Sequence, residues 1–207
     1  MAHALPKTDP VHKISIIPRG RALGYTLTLP TEDKFLVTRS EMVDELAMLL
    51  GGRVAEEMVI GDITTGAQND LERATKIARG MVTEFGMSDS LGPLTLGQRQ
   101  GEVFLGRDFA SAPDYSDQVA FEIDSEVRRL IDEAHDEALE ILQSERRKLD
   151  EIAAALIERE TIEKEDLISI LEDIKKRTVK NGQKRGAGIA VARRSVGRNK
   201  GKRDPLR

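Results

Sequence analysis

The sequence predicts a mostly α-helical domain with one small antiparallel β element near the N-terminus. Three observations carry this expectation. Between residues 11 and 29, β-forming residues alternate with polar ones and stop at prolines. Over residues 38–85 and 116–175, apolar residues return at three- and four-residue steps. The 207 residues are 39% hydrophobic but only 3% aromatic, which suits one domain with an aliphatic core.

The elements follow in order. Val11–Ile17 reads as a strand ended by Pro18-Arg19-Gly20, and Leu23–Leu29 as a second strand ended by Pro30. The short link between them implies an antiparallel pair, which is marginal alone and needs helices to lie against. Thr38 followed by Glu41 fits a capping box. Beyond it Met42, Val43, Leu46, Ala47, Leu50, Val54 and Met58 form a helical stripe. Gly51 and Gly52 lie inside this helix, each at a cost of about 1 kcal/mol relative to Ala, and close approach of another backbone would account for them. The segment Gly61–Gly66 breaks the helix. A second helix is expected over Gln68–Phe85, with Leu71, Ala74, Ala78, Met81, Val82 and Phe85 on its apolar face and Gly86 at its end. Residues 87–113 show no sustained period and read as a long surface loop, with a short strand near Glu102–Leu105. Three more helices are expected over Ser116–Gln143, Arg146–Glu158 and Lys164–Lys175. The fourth helix runs through Leu149, Ile152, Ala153 and Leu156.

The net charge of −4 conceals two opposed parts. Residues 175–207 hold 13 Lys and Arg against the single acidic Asp204, while the rest holds 19 basic and 35 acidic residues. The expected organisation is a folded, acidic part over 1–174 and a basic tail over 175–207. The tail has little apolar surface to repay the backbone entropy of ordering, so its composition reads as disordered. Its charge suits a solubilising role or a non-specific contact with an acidic partner. Its Gly197–Arg203 stretch is no phosphate-binding loop, because the glycine spacing is three and no Ser or Thr follows the lysine.

Composition excludes several kinds of chemistry. There is no Cys, hence no disulfide framework, thiol nucleophile or thiolate-held metal. No apolar run approaches the roughly 20 residues of a membrane span, and the first residues show no signal-peptide pattern. The expectation is a soluble, cytoplasmic chain. Of the three His residues, His3 lies near the start, His12 in a strand pattern and His135 among charged helical positions. None belongs to an H-E-x-x-H pair. The richest polar cluster is Thr64-Thr65-Gly66-Ala67-Gln68-Asn69-Asp70, at the start of a helix where free N–H groups favour negative charge. Either Thr65 or Asn69 caps that helix above an acidic first turn, or Asp70 points into a site as an oxygen ligand for a metal.

Several strings resemble one family in order and spacing. Asp9-Pro-Val-His-Lys-Ile-Ser-Ile-Ile-Pro-Arg-Gly-Arg-Ala-Leu-Gly24 and Thr64-Thr-Gly-Ala-Gln-Asn-Asp-Leu-Glu-Arg-Ala-Thr75 are similar to two signatures of the FtsH-type peptidase domain, found in membrane-anchored ATP-dependent zinc metalloproteases. Leu49-Leu-Gly-Gly-Arg-Val-Ala-Glu-Glu57, Glu84-Phe-Gly-Met87, Leu91-Gly-Pro-Leu94 and Gly101-Glu-Val-Phe-Leu-Gly106 match its pattern as well. The resemblance spans roughly residues 2–174. It implies that Asp70 is the third zinc ligand, beside two His of an H-E-x-x-H motif whose Glu is the general base. A catalytic zinc with three protein ligands keeps a position for the water it activates. The resemblance also implies that Leu23, Gly24, Tyr25 and Thr26 form an edge to which an extended protein substrate adds, with Gly24 admitting a close backbone.

One departure shapes the functional expectation. The sequence starts at Met1-Ala2-His3-Ala4-Leu5-Pro6, and the family pattern puts H-E-x-x-H just ahead of that point. The expected reading is the C-terminal portion of such a protease, missing its first zinc-binding helix and inactive alone. ATP then belongs to the family's ATPase module, and this chain binds none. The alternative is a non-catalytic structural or regulatory subunit of the six-membered ring that the family forms. Specific nucleic-acid binding is not expected of an acidic body without interleaved aromatics.

Overall fold

The computed structural model describes residues 1–20, 23–30, 34–97 and 115–174. The strand expected near Glu102–Leu105 and the basic tail lie outside them. The described elements are β1 (Val11–Ser15), β2 (Tyr25–Thr28), α1 (Arg39–Ile60), a 3-10 turn (Thr65–Ala67), α2 (Gln68–Thr83), α3 (Asp117–Ser144), α4 (Arg146–Arg159), β3 (Thr161–Glu163) and the helix α5 over 164–174. The strands form one sheet in the order β2-β1-β3. The described residues divide into two compact units, one within Met1–His12 and Thr26–Arg146, the other within Lys13–Tyr25 and the segment that begins at Arg147.

In the first unit, α1, α2 and α3 bury the stripes their sequences lay out. Leu46 and Leu50 of α1 meet a core shared with Ala74, Ala78, Met81 and Val82 of α2 and Ile123, Leu130 and Ala134 of α3, all at most 4% exposed. Alanines at positions 47, 74, 78 and 134 leave room for the helices to approach one another. The expected capping box opens α1. Thr38 Oγ1 accepts from the Glu41 N–H at 3.3 Å, and the Glu41 carboxylate accepts from the Thr38 N–H at 2.7 Å. Gly61, at φ 78°, ends the helix and returns its N–H to the Glu57 carbonyl at 3.1 Å.

Two expectations for this unit need correction. Among the described residues, the atoms nearest Gly51 belong to the side chain of Met1 rather than to a backbone, and nothing approaches Gly52 within 4 Å of where a Cβ would lie. Helix α2 stops at Thr83, short of Phe85. The Gly80 carbonyl receives the N–H groups of both Glu84 and Phe85, four and five residues on, and this shared acceptor closes the helix. Phe85 is 52% exposed, its ring resting on Gly80, and so lies outside the core.

In the second unit, β1 pairs antiparallel with β3 in the register Lys13↔Glu163, Ile14↔Ile162, Ser15↔Thr161. The sequence pattern does not announce this third strand. It supplies the extra pairing that a two-stranded element lacks, and its central Ile162 is fully buried. Helix α5 buries Leu167, Leu171 and Ile174, whereas Ile168, also an apolar position of its sequence, is 45% exposed. Helix α4 forms as expected, but none of its residues is fully buried: Leu149, Ile152 and Leu156 are half-buried and Ala153 is exposed. Among the described residues, no helix is long and apolar enough to cross a membrane.

Candidate functional site

The polar cluster forms a braced corner between α1 and α2. Beyond Gly61, Asp62 Oδ1 accepts the Ile63 N–H at 2.8 Å. Glu56, one turn before the end of α1, accepts twice from Thr64: its Oε2 from the Thr64 N–H at 3.2 Å and its Oε1 from the Thr64 hydroxyl at 2.9 Å. The Thr64 hydroxyl oxygen then accepts the Gly66 N–H at 3.1 Å and so caps the 3-10 turn. The Gln68 N–H returns to the Thr65 carbonyl, and α2 begins there. The cap at this corner is thus Thr64, in place of the expected Thr65 or Asn69. Ala67, which precedes α2, makes no side-chain cap.

Asp70 lies in the first turn of α2 and is half-buried. Among the described residues its carboxylate makes no hydrogen bond or ion pair, so both oxygens remain free to coordinate. A carboxylate at a helix N-terminus is electrostatically favoured, and it is also a suitable oxygen donor for zinc. Asp70 therefore fits one ligand position. The other donors are not at hand: among the described residues no three His, Cys, Asp or Glu side chains gather as a metal cage. The open groove that starts at this corner runs past Gln68, Leu71 and Thr75 toward Arg79, and Asp70 is not among its lining residues.

The histidines are dispersed. His3 is exposed and His12 is half-buried in β1. His135 is less solvated than its charged surroundings suggest. Its side chain is 33% exposed, with Nδ1 3.3 Å from Asp136 Oδ1 and Nε2 3.7 Å from Glu57 Oε2.

Of the expected substrate positions, Leu23, Gly24 and Tyr25 belong to the second unit and Thr26 to the first. Tyr25 and Thr26 open β2, which lies at one edge of the sheet, while Leu23 and Gly24 directly precede it. Leu23 is 83% exposed and Thr26 is exposed. Tyr25 is half-buried, with the Arg19 guanidinium 5.4 Å from its ring centroid. A backbone does come close at Gly24, and it is the chain's own. A Cβ there would lie 2.7 Å from the Ser15 carbonyl oxygen and 3.3 Å from Ile16 Cα.

Glu56 is the functional candidate that sequence reasoning missed. Its helical position gave it no distinction from Glu57. The only available signal was a carboxylate eight residues ahead of a capping threonine, on the last turn of a helix that must reverse.

Comparison with known proteins places these features in context. The model of peptidase family M41 matches residues 1–170, and the chain belongs to that family. The chain is 54% identical over 169 residues to an ATP-dependent zinc metalloprotease FtsH of Rubrobacter xylanophilus, covering 82% of this chain and 26% of that protein. It is 57% identical over 173 residues to the protein of the same name from Slackia heliotrinireducens, covering 84% and 22% respectively. The Thermotoga maritima FtsH shares 53% identity over 170 residues, covering 82% and 28%. The chain thus spans about a quarter of the length of these relatives, and the part it matches is their peptidase portion.

Proposed function

We infer that this chain is the peptidase portion of an ATP-dependent zinc metalloendopeptidase acting on membrane and soluble proteins. Asp70 supplies one zinc ligand. The observation that carries this reading is the Asp70 carboxylate, unengaged and held in the first turn of α2 by the braced Thr64–Ala67 corner. Zinc at such a centre activates a water and polarises the scissile carbonyl. The remaining donors must come from outside the described residues. Because the 207 residues contain no H-E-x-x-H, the chain alone is expected to bind little zinc and to show no peptidase activity.

The edge at Leu23, Gly24, Tyr25 and Thr26 takes a protein substrate as an added strand. Main-chain pairing of this kind tolerates many side chains. Residues 1–174 make up the peptidase domain and 175–207 a basic extension. The family's six-membered ring supplies the oligomer, its ATPase module supplies ATP hydrolysis, and the site of action is the cytoplasmic face of a membrane.

A second reading, a non-catalytic subunit of such a ring, draws on the lack of a three-donor cluster among the described residues. One experiment separates the two. An H-E-x-x-H segment from one of the relatives is joined ahead of Met1, and zinc content and casein cleavage are measured beside the Asp70→Ala variant. Near-stoichiometric zinc and chelator-sensitive cleavage, both lost on substitution, are expected. A completed chain that stays free of zinc and inactive while folded would favour the non-catalytic reading.

A further inference from the structure

The geometry points to Glu56 as the positioning residue for Asp70, acting through Thr64. This rests on the reading of Asp70 as a metal ligand. Nothing local dictates where α2 begins, because Ala67 provides no side-chain cap and the first N–H groups of the helix are left without partners inside it. The start of α2 is set instead by a relay from α1. Glu56 holds Thr64 by both its N–H and its hydroxyl, at 3.2 Å and 2.9 Å, and the hydroxyl oxygen holds the Gly66 N–H at 3.1 Å. The 3-10 turn and the first turn of α2 follow directly, with Asp70 in the latter.

Two features show that this relay is specific. The Glu56 carboxylate uses a different oxygen for each bond, so both the amide and the hydroxyl of Thr64 are fixed together. A carboxylate accepts the hydroxyl's bond more strongly than a neutral group would. Gly66 also fits closely over it: a Cβ at that position would lie 3.2 Å from Thr64 Oγ1 and 3.8 Å from Glu56 Oε1. A side chain there would press on the atom that joins the two bonds.

Partners that orient a metal ligand typically change metal affinity about 10–100-fold when removed. Glu56→Gln keeps one acceptor and loses the other. Thr64→Val removes the hydroxyl and keeps the shape, and Thr64→Ser restores the hydroxyl. In the 207-residue chain, Glu56→Gln and Thr64→Val should each speed amide exchange at Gly66 about tenfold or more, with Thr64→Ser returning it to the parent rate. In the chain completed with H-E-x-x-H, zinc affinity measured against a competing chelator should fall about tenfold in Glu56→Gln and Thr64→Val and recover in Thr64→Ser. Unchanged exchange at Gly66, or a Thr64→Ser chain that behaves like Thr64→Val, overturns the relay. Parent zinc affinity in Glu56→Gln, with zinc lost in Asp70→Ala, overturns the positioning role and leaves the ligand reading standing. Zinc retained in Asp70→Ala removes the ligand reading itself, and with it the positioning role, even where the exchange results still show the relay.

Discussion

The hydroxyl of Ser88 donates a 2.8 Å hydrogen bond to the Glu126 carboxylate, 38 residues further along the chain, and both residues are buried. Arg129 Nε and Nη2 grip the same carboxylate at 3.0 Å each, and Arg129 Nη1 turns outward to Glu133 at 2.8 Å. Ser88 in turn organises the loop after α2, accepting the Leu91 N–H on its side chain and the Gly92 N–H on its carbonyl. A buried acceptor serving three donors leaves them unpaired when it is removed. Glu126→Ala should therefore destabilise the first unit by about 2–4 kcal/mol, and Ser88→Ala by about 1 kcal/mol. Urea unfolding of both variants checks the order.

Acid should act through the same carboxylate. Arg129 holds Glu126 below its ordinary value of 4.5, against the opposing effect of burial and with help from Ser88. The Thr38 N–H and hydroxyl, with Lys34, lower Glu41 to about 2. Groups depressed in this way stabilise the fold fully above the ordinary carboxylate range, and that stability is lost as pH falls through their folded values. The melting temperature should thus drop between about pH 4.5 and 2. Glu126→Gln starts less stable and should show a shallower drop. A parallel pH profile in the variant would contradict the assignment.

Glu137 should behave in the opposite sense. Burial raises its pKa first, and the charges of Asp44 and Glu140 raise it further. The fold favours its neutral form, so its contribution is most favourable below 4.5 and is lost as pH rises through the raised value. Glu137→Gln should melt higher than the parent at pH 7 and alike at pH 4. A lower melting point at pH 7 would show that the carboxylate carries a compensating contact.

Gly86 adopts φ 60°, and a Cβ there would lie 2.9 Å from Pro93 Cα and 3.1 Å from Pro93 C. Both the dihedral and the clash oppose a side chain, and the opposing atoms are backbone that cannot swing away. Gly86→Ala should cost about 1–3 kcal/mol, read as a lower urea midpoint at an unchanged slope.

Gly52 and Gly24 should respond in opposite directions. Gly52 lies inside α1 with open space where a methyl would project, so Gly52→Ala should stabilise by about 0.5–1 kcal/mol through helix propensity. At Gly24 the methyl would meet the Ser15 carbonyl, so Gly24→Ala should destabilise by about 1–3 kcal/mol. Thermal melts of the two variants against the parent decide both signs.

Local regularities make most of the helical architecture legible in advance. Thr38 with Glu41, Gly61, Ser116 and the apolar stripes of α1, α2 and α3 each encode a boundary or a face within a few residues, and the structure uses them accordingly. The strand Thr161–Glu163 is not legible, because three residues carry no readable alternation and their partner Lys13–Ser15 lies about 150 residues away. The stripe of α4 is readable, yet periodicity states only which residues share a face and not how deeply that face is covered. The same limit hides Glu56, whose neighbour Glu57 has an identical charge and a different outlook.

By itself, the sequence determined the approximate helix spans, the capping box of α1, the aliphatic core, the charge division and membership of the M41 family, because these are written in short-range patterns and in contiguous strings. The tertiary structure alone decided that Glu56 braces the Thr64 corner, that Ser88 meets Glu126 and that Ser15 faces Gly24. Those relationships join residues 8 to 38 positions apart through the angle at which elements meet, and that angle is set by packing rather than by any local preference.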